Sequence, residues 1–516
     1  MKAIRLENFR SLTDTDTIEI KPITLLLGQN SSGKSTFARS FALLKQGINV
    51  RARGPFLWVG ELVDFGGVSE TISTFSEERQ LGLTYNFDLP TSLPLLRKTI
   101  FRGAGIIGAT EISVSISEIE ISEKTDISFT YIISIDKDNF KFSLTRDGDF
   151  SWFSINDLDY TTLMSQLTAK HWKGPIPVFA NKGAHDALKK VEDEESPDTF
   201  DSTLRSYINK HVHGRTGEQK RDILIDRIIR FPHALLGVLK LSTTGDISWR
   251  KHTKDWNART PEFKKLKALA LGCRFLDYMN LISEYSVGLL ERSKYITPLR
   301  ASAERYYRKQ GLAVDELDAR GSNFSQFLNN MSPLEQFRFS EWSQKFFGVS
   351  ISTEEQGGHL SIFITSQENP SVKVNITDTG FGFSQMFPIL AQLWVAQDEP
   401  QEKSTINIPI LFSIEQPELH LHPRLQANLA DVLVSSINAA NAAGIDLRLI
   451  IETHSEYLVN RLGYLIAKKE IPSSSASILI FDRNSNSEST KIIRSSYSDR
   501  GFLQNWPHGF FEPVSL

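Results

Sequence analysis

Hydrophobic positions along the chain group into a few runs of distinct period. Ile23-Thr24-Leu25-Leu26-Leu27 is an uninterrupted apolar run, and it ends on a polar stretch, Gly28 to Thr36, after which Phe37, Phe41, Leu43 and Leu44 recur at roughly helical spacing. The pattern predicts a strand buried on both faces, a tight loop and a helix. Ahead of it, the N-terminal residues read as two short strands around a polar turn at Asn8 to Asp16. From about 80 to 154 the period changes to two: Ile112, Val114 and Ile116, then Ile127, Phe129, Tyr131 and Ile133, separated by polar turns. That alternation predicts an antiparallel sheet, to which no chemistry is attached. Residues 155 to 290 are mixed, with helical segments and an acidic turn, Glu192-Asp193-Glu194-Glu195. Beyond 290 the pattern is compact α/β: a segment Tyr295 to Arg300, an aromatic-rich helix from Pro333 to Phe347, and strands near 349–353, 359–365 and 371–376. Two further apolar runs, Ile406 to Ile414 and Leu447 to Ile451, read as strands. There is no internal repeat, low-complexity segment or sustained heptad, so a long coiled-coil arm is not expected.

Candidate chemistry sits at the ends of these runs. Gly28-Gln29-Asn30-Ser31-Ser32-Gly33-Lys34-Ser35-Thr36 fits G-x-x-x-x-G-K-[ST] between a strand and a helix. In a phosphate loop the glycines let successive N–H groups turn inward at a β-phosphate, and the dipole of the following helix adds attraction. Lys34 supplies a cation between β- and γ-phosphates, and Ser35 offers its hydroxyl to Mg²⁺. The strand ending at Ile414 delivers Glu415-Gln416-Pro417-Glu418 at its carboxyl end, where the ligand crevice of a parallel sheet lies, so Glu415 is expected to reach the Mg²⁺ held by Ser35. The next strand ends in Glu452-Thr453-His454-Ser455. An imidazole at 454 could hydrogen-bond the γ-phosphate or the attacking water, although such a residue is also an ordinary strand-end histidine. Finally, Asp378-Thr-Gly-Phe-Gly-Phe-Ser384-Gln385 leads into an apolar helix. Gly380 and Gly382 allow a tight turn, with Ser384 and Gln385 expected at the helix start as an anion-binding position. Its distance in sequence from the phosphate loop suggests service to the nucleotide of another subunit.

Composition narrows the setting. At 516 residues the chain is too long for one ordinary domain, and its 40% hydrophobic and 23% charged residues are those of a soluble globular protein. A single cysteine, Cys273, excludes a disulfide framework and a Cys-based zinc site. No apolar run reaches membrane length and no signal peptide precedes Ile4, so a cytoplasmic protein without membrane contact is expected. Net charge is only −3, but residues 205–267 hold 15 Lys or Arg against 6 Asp or Glu. There Trp249 and Trp256 alternate with Arg250, Lys251, Lys254, Lys264, Lys265 and Lys267, as on a surface for DNA or RNA. A solvated helical face, or a dock for an acidic protein, has the same composition.

The phosphate loop, the glycine motif, the carboxylate strand and the histidine strand, in their order, resemble the ABC-type ATPases of the SMC, RecF and overcoming-lysogenization kind. The likeness is to a bacterial AAA-family group with Glu-Gln-Pro-Glu-Leu-His-Leu-His-Pro, here 415–423, Glu-Thr-His-Ser-Glu-Tyr-Leu, here 452–458, and a tail like Trp506-Pro507-His508-Gly509-Phe510-Phe511-Glu512. It covers about 1–75 and 290–516. It implies an α/β ABC-type P-loop head with an antiparallel β lobe and a largely helical insertion: 1–154 as the N-terminal part of the head, 155–290 as a mostly helical, partly basic insertion, 291–516 as the part with the signature, Walker B, histidine switch and tail. ATP and Mg²⁺ are the implied cofactors. A head-to-head homodimer or higher even oligomer is implied, with Ser384 and Gln385 of one subunit facing Lys34 of the other. Members of such groups include the ATPase subunits of Septu and retron-associated anti-phage systems, which act with a separately encoded nuclease or toxin effector. One departure concerns mechanism. Gln416 stands where hydrolysing relatives have the glutamate base, and an amide accepts no proton, though it can orient water. Either Glu418 takes the base role, or turnover is slow and the ATP-bound dimer long-lived, as a scaffold that holds its partner. A DNA-repair clamp of the SMC or RecF type is a further alternative. His420 and His422 resemble a metal pair but match the group's dimer-contact loop. No nuclease motif follows residue 423.

Overall fold

The strand Ile23–Gly28 lies in the middle of a seven-stranded sheet among the described residues. The computed structural model describes residues 1–89, 109–121, 124–182, 199–241, 246–298, 300–311, 314, 316–397, 408–483, 488–507 and 510–511; the acidic turn 192–195 and Ile406 lie outside them. Across the sheet the order is Lys294–Ile296, Ile410–Glu415, Leu447–Glu452, Ile23–Gly28, Ala476–Asp482, Lys491–Tyr497 and Leu503–Gln504. The first five are parallel, Lys491–Tyr497 pairs antiparallel with Ala476–Asp482, and Leu503–Gln504 pairs antiparallel with Lys491–Tyr497. Both faces of the sheet are covered, which is why its strands read as continuous apolar runs. Leu26 enters one core while Ile23, Leu25 and Leu27 enter the other. The first core includes Phe37 and Phe41 of the helix Lys34–Gln46. The second is built on the helices Pro333–Phe347, Phe381–Gln397, Pro423–Ala442 and Glu456–Ala467.

The expected antiparallel sheet is present, and it extends further than its alternation suggested. Strands Gln80–Asp88, Ala109–Ile121, Lys124–Ile135, Asp138–Leu144 and Phe150–Ile155 pair in sequence, and Gln80–Asp88 joins the N-terminal strand Ala3–Phe9. Phe129, Tyr131, Ile133 and Ile135 are buried, while Ile132 between them faces outward. The stretch expected to open a mostly helical insertion opens instead as β structure, with the hairpin Leu167–Lys173 and Ile176–Asn181. A register shift between Ala169 and His171 breaks its period of two, which hides the strand from pattern reading. Helices then run from Phe200–Asn209 to Phe275–Glu291. They share one hydrophobic cluster with the lobe and the phosphate-loop helix: Phe275 packs edge-on against Phe153 at 5.0 Å between ring centres. No helix among the described residues is long and apolar enough to cross a membrane.

A polar latch ties lobe to helices. The buried Asp138 carboxylate receives Asn156 Nδ2 at 2.9 Å and Lys267 Nζ at 2.6 Å, and meets His233 Nδ1 at 2.9 Å; His233 Nε2 lies 2.8 Å from the Tyr278 hydroxyl. Burial alone would raise the Asp138 pKa, but the bonds from His233 and Lys267 hold it below the ordinary value. A depressed carboxylate pKa means the latch contributes fully at neutral pH and is lost only as pH falls through that value. Lys267→Met is expected to cost about 1.5–3 kcal/mol, the range for a hydrogen bond to a charged group. Amide exchange should accelerate in Pro261–Cys273 before the central sheet responds, and uniform protection across both would sink the assignment.

Candidate nucleotide site

The phosphate loop has the conformation its glycines allow. Gly28 sits at φ 145°, and a Cβ there would lie 2.3 Å from the Phe481 carbonyl oxygen. Gly33 sits at φ 95°, with Ser11 Oγ 2.7 Å from an added Cβ. Any side chain at either position would collide. The loop is braced from inside by Ser32 Oγ donating to Gln29 O at 2.8 Å, and from outside by Thr490 Oγ1 donating to Ser32 O at 2.8 Å and Arg483 Nη1 donating to Ser31 O at 3.0 Å. Gln29, Asn30 and Ser31 are exposed at the rim, while Ser32, Lys34 and Thr36 are buried. Lys34 Nζ donates to Gln29 O at 2.6 Å and Gly28 O at 3.1 Å, and burial lowers its pKa. The helix beginning at Lys34 leaves its first N–H groups aimed into the loop, a ready anion site.

Two carboxylates stand side by side at the strand ends, because Glu415 and Glu452 are partners in register. They differ in what they face. Glu415 is clamped by Arg39, whose Nε and Nη2 reach Oε1 and Oε2 at 2.8 Å each, and by the Tyr295 hydroxyl at 2.7 Å. Glu452 is the one that meets Ser35: Ser35 Oγ donates to its Oε1 at 2.9 Å, and Lys34 Nζ is 4.0 Å away. The physical reason is strand order, since Leu447–Glu452 lies between the carboxylate strand and the phosphate-loop strand. Burial and the neighbouring Glu415 charge push the Glu452 pKa up to about 7.

A cleft of ≈ 520 Å³ opens over the loop, and Gln416 and Glu452 line it together with Arg10, Phe75 and Arg483. Gln416 adopts φ 45°, and its N–H donates to Glu452 O at 2.8 Å, so this strained turn fixes the amide beside the loop. Glu418 is not among the lining residues. It is buried, and its Oε1 accepts the His454 N–H at 2.7 Å, so it ties the two strand-end turns together and desolvation raises its pKa. Burial and the Lys34 charge lower the His454 pKa. His422 caps the helix Pro423–Ala442, with the Arg424 N–H donating to its Nδ1 at 3.3 Å; among the described residues no group of three or more candidate ligands gathers around a metal position.

The glycine motif differs in detail from its expected form. Gly380 makes the turn at φ 80°, but Gly382 is already in the helix, where its missing side chain leaves room for His420 O, 3.0 Å from an added Cβ. The helix starts at Phe381, so Ser384 and Gln385 fall one turn inside it, and both are buried. Gln385 Nε2 donates to Arg300 O and Ala301 O, each at 3.4 Å, and Ser384 lines a cavity beneath residues 301–304 and 321–326. Arg300 in turn donates through Nη2 to Glu415 O at 2.9 Å and Gln416 O at 3.3 Å. A continuous chain of contacts therefore joins the glycine-motif helix to the cleft within one subunit.

Residues 1–226 and 274–459 match the model of the AAA ATPase domain. The chain belongs to that family. An AAA ATPase domain implies ATP binding, with ATP hydrolysis as its class of activity. A second match, to the Endonuclease GajA of Bacillus cereus (strain HuB5-5), is 25% identical over 131 residues and covers 25% of this chain but only 19% of that protein. Among solved structures, the Smc head domain with an extended coiled coil bound to the C-terminal domain of ScpA, from Pyrococcus furiosus, aligns over 96% of both chains at 12% identity with a TM-score of 0.35.

This AAA ATPase domain places several side chains at the cleft over its phosphate loop that sequence pattern does not single out. Glu452 stands in the Glu-Thr-His-Ser stretch, where the histidine is the more conspicuous signal. Arg10 belongs to the polar turn after the first strand and holds φ 53°, uncommon for a non-glycine residue. Arg483 follows the strand Ala476–Asp482 and stacks over Phe75 at 5.3 Å. The basic segment divides. Arg250, Lys251, Lys254, Lys264 and Lys265 are exposed, but Lys267 is engaged by Asp138. Trp249 is fully buried in the core of the insertion, and half-buried Trp256 packs edge-on against it at 6.0 Å.

Proposed function

We propose that this AAA ATPase binds ATP with Mg²⁺ in the cleft over Gly28–Thr36, hydrolyses it slowly, and uses ATP-dependent pairing of two copies to control a separately encoded nuclease or toxin effector, or its engagement of DNA, in the cytoplasm of a bacterium defending against phage. The observation that carries the nucleotide half is the convergence of Lys34, Ser35, Gln416 and Glu452 on one cleft beneath a helix N-terminus. Ser35 and Glu452 supply oxygen donors of the kind a hard divalent cation takes, and Glu452 Oε2 is buried without a hydrogen-bond partner, so the residues fit Mg²⁺. Slow turnover is supported by the amide of Gln416 lying in the cleft where a carboxylate base would be expected. The partner half rests on the resemblance to Septu and retron ATPase subunits and on the partial match to an endonuclease.

Light scattering on the purified chain with and without Mg²⁺ and ATP tests the pairing. Mass is expected to double with ATP, and Lys34→Ala should stay monomeric. Constant mass in both would remove dimerisation from the proposal. A second reading, direct DNA engagement, is favoured by the exposed cations of the insertion. Reversing Lys264 and Lys265 to Glu should then weaken DNA binding and reduce its salt slope by about 2, one unit for each phosphate that is no longer neutralised. An unchanged slope excludes this face.

A further inference from the structure

We propose that the insertion carries a binding face for single-stranded nucleic acid, built on Tyr207, His211, His252 and Trp256 among the cations of residues 250–265. The inference rests on the second reading above, that this face engages nucleic acid, and names the form of strand it takes. Arg250, Lys251, Lys254, Arg259, Lys264 and Lys265 are all exposed, against Asp255 and Glu262 on the same stretch. Acids of the neighbouring helices are spent elsewhere. Asp201 and Asp222 both grip Arg205 at 2.7 Å, and Asp246 caps the helix Ile247–Thr253 by accepting the Trp249 N–H at 2.8 Å. The cations of 250–265 are therefore left without an ion pair among the described residues. An uncompensated cationic face draws a polyanion, and a run of phosphates binds it through the counterions it releases.

The rings decide which polyanion. Helix Ile247–Thr253 buries Trp249 and Thr253 and leaves His252 exposed, while Tyr207, His211 and Trp256 are half-buried, so each presents part of its ring at the surface. His211 is the hub of the group: its ring centre lies 4.7 Å from Tyr207 and 5.7 Å from both His252 and Trp256. Each ring is anchored. The Tyr207 hydroxyl donates to Glu262 O at 3.1 Å, and Nδ1 of His211 and of His252 meets the carbonyl oxygen one turn back, of Tyr207 and Ser248, at 2.8 Å each. Trp256 has Trp249 behind it. Rings fixed in this way meet a base at little ordering cost. Only an unpaired strand can use them, because duplex bases are stacked on one another, whereas splayed bases lie on aromatic side chains. Lys265 Nζ stands 5.6 Å over the Tyr207 ring, which puts a cation for a phosphate beside a ring for a base.

The test separates the contribution of bases from that of phosphates. Fluorescence anisotropy of the full chain is measured across a salt series with oligo-dT, oligo-rU, an abasic strand with the same number of phosphates, and a duplex of the same length. At least one base-bearing strand is expected to bind roughly 5–100-fold tighter than the abasic strand, the scale of one stacked base, with the same salt slope because the phosphates are equal. Trp256→Leu, which keeps an apolar side chain against Trp249, should narrow that gap and leave the affinity for the abasic strand in place. Should this variant fail to fold, His252→Ala, at an exposed position, decides in the same way. Equal affinity of wild type for abasic and base-bearing strands overturns the proposal, as does a preference for the duplex or a gap that both variants leave intact. Absence of binding to every probe at low salt would remove the nucleic-acid reading itself, and the proposal with it, an outcome distinct from the others.

Discussion

Lys34→Ala is expected to weaken ATP binding by roughly 10²–10³-fold, because it removes a buried cation that the triphosphate would otherwise pair with. That factor follows from about 3–4 kcal/mol for truncating one partner of a buried charge pair, at 1.4 kcal/mol per tenfold. In the structure Lys34 is 3% exposed and its ammonium is held by the carbonyls of Gly28 and Gln29, within 4.0 Å of Glu452. Those carbonyls are weak competitors for a phosphate, so the side chain is preorganised and little ordering cost stands against its use. Alanine also leaves Glu452 without its nearby cation, so residual binding should depend more steeply on Mg²⁺. Calorimetric titration with ATP checks both statements. Affinity within a few-fold of wild type would mean that the loop is not the phosphate site.

The second large effect is on stability. Arg39→Met is expected to destabilise the fold by about 3 kcal/mol, the low end of the range for breaking a buried ion pair, since a third of the Arg39 side chain remains in water. What makes the change severe is the residue left behind. Glu415 is 1% exposed, and without Arg39 it retains only the Tyr295 hydroxyl while lying in register with Glu452. Two carboxylates would then share one strand-end site with no guanidinium to separate their charges. Adding Glu415→Gln should restore most of the loss, because the amide oxygen can still accept from Tyr295. Urea unfolding of the two single variants and the double variant gives the coupling directly. A double variant no more stable than Arg39→Met would show that the clamp does not hold Glu415 as an anion.

Much of the fold was legible because the local signals agreed with one another. An apolar run, a glycine-framed polar loop and helical spacing specify the phosphate loop without reference to anything distant, since Gly28 and Gly33 are the residues whose backbone angles and close contacts tolerate no side chain. The alternation over 127–135 likewise survives as buried and exposed faces. Where a local rule is broken, the reading fails with it: the register shift at Ala169 to His171 conceals a hairpin, and Trp249 among the basic residues reads as surface when it is core.

At the site, the amino-acid sequence alone determined which residues could do chemistry, because a phosphate loop, strand-end carboxylates and a strand-end histidine are defined by type and by neighbours a few positions away. Only the tertiary structure decided which carboxylate faces the loop. Glu415 and Glu452 are far apart in the chain and chemically identical, and what separates them is a sheet order that inserts one strand between two others, with Arg39 and Tyr295 arriving from elsewhere in the chain to neutralise the outer acid. Long-range pairing of this kind leaves no periodic trace in the sequence, since it is settled by which edges and faces remain to be covered once the local elements have formed.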